Sequence, residues 1–308
     1  MARGAPAAHK EGVPSPAPPQ LFDRALIASR LDRAIRAQSG ESADFLLCRA
    51  AEELNERLSI VSREFAVAGD VGTPGPHAAE VLAARQGGGV TLRLAPTRLS
   101  AGTGNFLCAV GDVERLPLTG HGFDLIVSLL ALHQVNDLPG ALIQIRSALR
   151  PDGLLLAALP GGDTLSELRQ SLVVAESDLT GGAAPRVAPF ADVRALGGLL
   201  QRAGFALPVV DVDRVVVRYH GLSGLMRDLR AFGATNALSA RRRTPLRRDV
   251  LERCAAVYAE RFADPDGRLR ATFEILWLSG WSPHESQPKP LKPGSAAMRL
   301  EDALKRTR

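Results

Sequence analysis

Apolar residues recur at three- and four-residue steps from Leu21 to Ser62. They run through Leu21, Phe22, Leu26, Ile27, Leu31 and Ile35, then Phe45, Leu46, Leu47, Ala50, Leu54 and Leu58. That period lines one face of a helix, so the stretch predicts two amphipathic, arginine-rich helices. From Arg63 the pattern changes to short apolar runs separated by helical stretches. Phe65–Val71, Val90–Leu94, Phe106–Val110, Phe123–Leu129 and Gly153–Leu159 read as strands, with helices at His77–Arg85 and Leu138–Leu149 among them. Alternating strand and helix predicts an α/β, Rossmann-like fold, a mostly parallel sheet with helices on both faces. Such sheets bind ligands beyond the carboxyl ends of their strands.

After Gly161 the chain is mixed. Helices are predicted at Thr164–Thr180, Asp192–Gly204, Leu222–Phe232 and Arg247–Phe262, and strands at Val209–Tyr219 and Leu269–Trp281. No internal repeat is visible. The expected organisation is a tail over 1–20, an N-terminal helical segment over 21–62, a Rossmann core over 63–160, and the remainder of the sheet with a helical cap and C-terminal tail over 161–308.

Composition adds little to this picture. A chain 45% hydrophobic and 23% charged is ordinary for a globular protein, and a net charge of +5 argues only weakly for an acidic partner. The run Arg241-Arg242-Arg243-Thr244-Pro245-Leu246-Arg247-Arg248 has no interleaved aromatic residue, so no nucleic-acid partner is expected. It reads as a solvated loop capping a helix, or as a contact for phosphate or an acidic protein. Cys48, Cys108 and Cys254 lack metal-ligand spacing and are expected as reduced, buried apolar residues, with no metal site. No apolar run reaches the roughly 18 to 20 residues that span a bilayer. The Ala/Pro-rich stretch Met1–Gln20 lacks a secretory core and is expected to be disordered in a bacterial, cytoplasmic protein.

Three segments carry candidate chemistry. Gly69-Asp70-Val71-Gly72-Thr73-Pro74-Gly75-Pro76 follows a strand and precedes a helix, where backbone approaches a ligand and free N–H groups point at it. A purely structural turn has the same signature. Asp112, in Gly111-Asp112-Val113-Glu114-Arg115-Leu116-Pro117, follows the third strand and can accept from an adenine amino group, or simply cap a turn. The strand Phe123–Leu129 runs into a polar loop holding His133, Asn136 and Asp137. His133 suits general acid–base work, or a structural role. Arg150-Pro151-Asp152-Gly153 then makes a turn into the fifth strand.

In this order the glycine-rich loop, the acid before "LP", the "FDLIVS" strand and the "LRPDG" turn resemble class I S-adenosylmethionine (SAM)-dependent methyltransferases. Longer stretches are more specific. "LFDRALIASRLDRA", "ALHQVNDLPGALIQIRSALRPDGLLLAALPGGDTLSELRQSL", "PFADVRALGGLLQRAGFALPVVDVDRVVV" and "GWSPHESQPKPLKPGSA" resemble the bacterial relatives of a mitochondrial complex I assembly factor that is an arginine hydroxylase. The likeness runs from about Leu21 to Leu304, within methyltransferases of type 11, similar to that of biotin synthesis. It implies SAM as cofactor, faced by Asp70, Gly72, Gly75, Asp112, Val113 and Leu129, with His133 and Asn136 as catalytic candidates. It implies a complex I peripheral-arm subunit as partner, placing the protein at the inner membrane through that partner.

The chain departs from the family pattern in three places. Pro74 and Pro76 stand where glycines are usual and donate no N–H. Arg93 replaces the acid that would accept from ribose hydroxyls, and Gln134 replaces a tryptophan. Weakened SAM binding is therefore expected. The segment Gly280–Gln287, with His284, Glu285 and Gln287, reads either as a border of the pocket or as a tail folded over a sheet edge. Three functions follow from these readings: a methyltransferase-like enzyme acting on a protein, an arginine hydroxylase, or a non-catalytic assembly scaffold.

Overall fold

The computed structural model describes residues 20–37, 44–85, 89–118 and 120–288. The tail expected over 1–20 lies outside them except for Gln20, and so does 289–308. Seven strands, β1 (Val67–Val71), β2 (Val90–Ala95), β3 (Leu107–Val110), β4 (Phe123–Leu129), β5 (Leu149–Pro160), β6 (Ala206–Tyr219) and β7 (Leu269–Trp281), form one sheet in the order β3-β2-β1-β4-β5-β7-β6. The first five pair in parallel. β7 runs antiparallel to both its neighbours. The order reverses between β1 and β4, which opens a crevice at their carboxyl ends.

Among the described residues, eight α-helices cover the sheet: α1 (Arg24–Ala37), α2 (Phe45–Ile60), α3 (His77–Arg85), α4 (Leu138–Ala148), α5 (Ser166–Thr180), α6 (Val193–Arg202), α7 (Leu222–Ala231) and α8 (Arg248–Phe262). Every residue of β4 is buried, because helices pack on both of its faces. Alternation divides the strand between two cores. Leu125, Val127 and Leu129 meet Leu47, Leu54 and Leu58 of α2 and Leu82 of α3. Ile126 meets Leu142 and Ile145 of α4 and Leu196 and Leu200 of α6. A third core joins α5, α7 and α8 to the β6–β7 half, around Tyr258, Leu225 and Phe273.

Local chemistry sets the helix starts. Asp137 caps α4 by accepting from the Gly140 amide at 2.8 Å, and Asp192 caps α6 by accepting from Ala195 at 2.7 Å. Gly181, with φ of 72°, ends α5. Among the described residues no helix is long and apolar enough to cross a membrane.

Two expectations are corrected, and one alternative is decided. β5 begins at Leu149 rather than Gly153, and the Pro-Asp-Gly turn survives only as a left-handed residue, Asp152 with φ of 62°, inside the strand. Only Cys254 is buried. Cys108 is exposed because β3 is an edge strand with no buried position, and Cys48 sits half-buried in the first turn of α2. The Gly280–Gln287 segment does not border the crevice. Ser282 exchanges hydrogen bonds with Asp152 and Gly153, and Gln287 donates to Asp152 at 2.9 Å. That contact folds the segment over the start of β5, at the end of the sheet away from the carboxyl edge.

Candidate functional site

The Gly69–Pro76 segment runs from the end of β1 to the start of α3, as the sequence predicts, and it leaves the sheet at the switch in strand order. Gly72 has φ of 76°, and a Cβ placed on it would lie 2.4 Å from Val113 Cγ2. Only glycine fits that backbone and that approach. Thr73, which the motif reading did not single out, ties the loop to β4: its hydroxyl accepts from the Leu129 amide at 3.0 Å. Gly75 has a different neighbour. A Cβ there would lie 2.8 Å from His77 Nδ1, so His77 packs where a side chain would stand.

Asp70, at the end of β1, is fully buried and pairs with Arg93 of β2, which is also fully buried. Burial pushes the Asp70 carboxyl up to about 6 against the pull of Arg93, so it is ionised at neutral pH. The same guanidinium donates from Nε to the Ala101 carbonyl at 3.0 Å. From Nη2 it donates to Thr73 at 2.9 Å and to Ser100 at 2.7 Å. Arg93 thus stitches the loop to the segment after β2. It stands where an acid would accept from ribose, and all of its bonds here are donated to the protein itself.

Asp112 is held as well. Arg24, at the start of α1, donates to its Oδ1 at 2.7 Å and to the Gln134 carbonyl at 3.2 Å. Val113 is buried in the core and presses on Gly72. Asn136 clamps the chain entering α1. It accepts from the Phe22 amide at 2.7 Å and donates to the Phe22 carbonyl at 3.2 Å. Its amide side chain is thereby occupied by the N-terminal segment.

Beyond the loop lies a cavity of about 490 Å³, lined chiefly by apolar side chains such as Leu31, Leu47, Leu168, Phe190 and Phe273. His133 lines it from a short 3-10 turn, Leu132–Gln134, that follows Leu130 in left-handed backbone with φ of 51°. The His133 ring lies 6.0 Å from that of Phe190, and its buried Nδ1 has no hydrogen-bond partner among the described residues. Desolvation pushes the imidazole down to about 4, so it is neutral at physiological pH and available as a base or acceptor. The structure therefore gathers Asp70, Gly72, Val113 and Leu129 at the crevice and places His133 in the adjoining cavity. Asp112 lies outward under Arg24.

A seven-stranded sheet of this order, a glycine-bearing loop after β1 and an acid after β3 define a class I methyltransferase-fold protein. A methyltransferase domain family matches residues 70–157. Among solved structures the YcgJ protein of a Bacillus species superposes with a TM-score of 0.53 over 77% of this chain and 99% of its own, at 14% identity, which speaks to the fold alone. Sequence relatives are nearer. The mitochondrial arginine-hydroxylase NDUFAF5 of Danio rerio is 40% identical over 92% of this chain and 90% of its own. A malonyl-[acyl-carrier protein] O-methyltransferase of Laribacter hongkongensis is 33% identical over 88% of this chain and 94% of its own. The chain belongs to the family of the arginine-hydroxylase NDUFAF5, within the methyltransferase-fold proteins.

This fold and domain imply a SAM site at the crevice. The residues there do not fit the cofactor's ribose, because Arg93 offers donors where acceptors are needed and its bonds go to the protein. Pro74 and Pro76 also remove two N–H groups from the loop.

Proposed function

We propose that this chain is a methyltransferase-like protein that works on a protein subunit during assembly of respiratory complex I, and that its SAM site binds weakly. Kinship with arginine-hydroxylases over most of the chain supports the first half. The buried Arg93–Asp70 pair carries the second. In this reading Asp70, Gly72, Gly75, Asp112, Val113 and Leu129 edge the cofactor place. His133 faces the acceptor in the cavity, and Asn136 positions the N-terminal segment. Residues 63–160 are the cofactor-side core, 21–62 the N-terminal segment, and 161–308 the remaining sheet, cap and tail. The partner is a peripheral-arm subunit, met from the cytoplasm at the inner membrane.

Two further readings have support. Hydroxylation of an arginine is favoured by the activity that names the relatives. A scaffold without catalysis is favoured by the arginines that hold Asp70 and Asp112. Calorimetric titration with SAM tests the weak site: binding at micromolar concentrations overturns it. Mass spectrometry of co-expressed peripheral-arm subunits then decides the chemistry. A methyl group on a subunit supports methyl transfer, an added oxygen on arginine supports hydroxylation, and an unchanged subunit supports the scaffold.

A further inference from the structure

Behind the crevice, three side chains of different chemistry converge. Asp44 is the residue before α2, Cys48 lies one turn into that helix, and His77 opens α3. One ligand atom from each lies within 4.8 Å of the other two. His77 Nε2 is 2.9 Å from Asp44 Oδ2. We propose that Asp44, Cys48 and His77 form a binding site for a divalent transition-metal ion of the zinc kind.

The geometry suits that ion. Zinc takes thiolate, imidazole and carboxylate at about 2.0 to 2.3 Å, which places tetrahedral ligands about 3.3 to 3.6 Å apart. The Asp44–His77 contact at 2.9 Å lies just below that range, and all three ligand atoms lie within 4.8 Å of one another, so small side-chain shifts bring them to it. Asp44 occupies the N-cap position of α2, yet its side chain makes no capping bond to the helix. Capping is the usual role of an aspartate there. Its carboxylate reaches for His77 instead. Both Asp44 and His77 line the apolar cavity, which leaves a fourth coordination position facing the space where a ligand would sit.

The site uses none of the proposed cofactor residues as ligands, although His77 packs against Gly75.

Cobalt titration of the untagged full-length protein, followed by absorption and calorimetry, tests the proposal. One Co²⁺ per chain is expected, with a thiolate-to-cobalt charge-transfer band that Zn²⁺ displaces. The band should vanish in Cys48→Ser and persist in Cys108→Ser, whose exposed thiol lies on β3. His77→Gln should weaken binding by at least about tenfold. Absence of the band in the native protein, or its survival in Cys48→Ser, overturns the site. A second measurement holds if a variant fails to fold: Zn²⁺ should protect Cys48 of the native protein from alkylation, read by mass spectrometry. Equal labelling with and without Zn²⁺ refutes the proposal.

Discussion

Arg93 donates to Asp70 in a part of the molecule where neither side chain has any exposed surface. Burying two charges costs several kcal/mol each, and their mutual attraction, the three carbonyls on Arg93 and the hydrogen bonds of Thr73 to Asp70 offset it. Removing one partner leaves the other charge stranded. Arg93→Met should destabilise the protein by about 3 to 5 kcal/mol in urea denaturation. The double variant Asp70→Leu with Arg93→Met should recover most of that loss. A single variant within about 1 kcal/mol of the parent would show that the pair contributes no such coupling.

Gly72 combines a φ of 76° with a hypothetical Cβ 2.4 Å from Val113 Cγ2. Gly72→Ala should cost about 1 to 3 kcal/mol, from backbone strain and the clash together. Val113→Ala in the same chain relieves the clash but not the strain. A double-mutant cycle should therefore report a favourable coupling, and strict additivity would disprove the contact.

Asn136 grips the backbone of Phe22 through both faces of its amide. Asn136→Ala should lower stability by about 1 to 3 kcal/mol. It should also loosen the entry to α1 while the central sheet stays intact. Hydrogen exchange reads this directly: amides of residues 22–37 should exchange faster, and those of β4 should not. Equal acceleration in both would mean that Asn136 supports the whole fold rather than this segment.

His133 titrates near 4 in the folded protein, below its ordinary 6.5, because its surroundings exclude water. Between those values the unfolded chain binds the proton and the folded chain does not. Stability contributed by this group is therefore full above about pH 6.5 and declines as pH falls toward 4. His133→Gln removes the titration, so its thermal midpoint should vary less with pH across that window. Parallel curves for variant and parent would place the buried imidazole elsewhere.

Much of the architecture was legible from residue order. Phe123–Leu129 is apolar at every position but Asp124 and Ser128, and it reads as a strand covered on both faces. The three- and four-residue steps around Leu47, Leu54 and Leu58 mark the face of α2 that meets it. Those patterns are local, and they survive folding because each element must bury its own apolar side. That an arginine stands at position 93, where the family resemblance expects an acid, was also legible, since it needs only a register count along β2.

What Arg93 does was not. Its four bonds reach Asp70, 23 residues away, Thr73, 20 away, and Ser100 and Ala101 beside them. No sequence pattern specifies that convergence, because the five N–H donors of a guanidinium serve whichever acceptors packing brings into their fork. The same holds for Asp44, Cys48 and His77, whose spacing matches no ligand motif. Sequence alone determined the sheet, its helices and the place of a crevice. Tertiary packing decided that the acids of that crevice are held by Arg93 and Arg24, that Asn136 holds the N-terminal segment, and that three ligand atoms meet behind the loop.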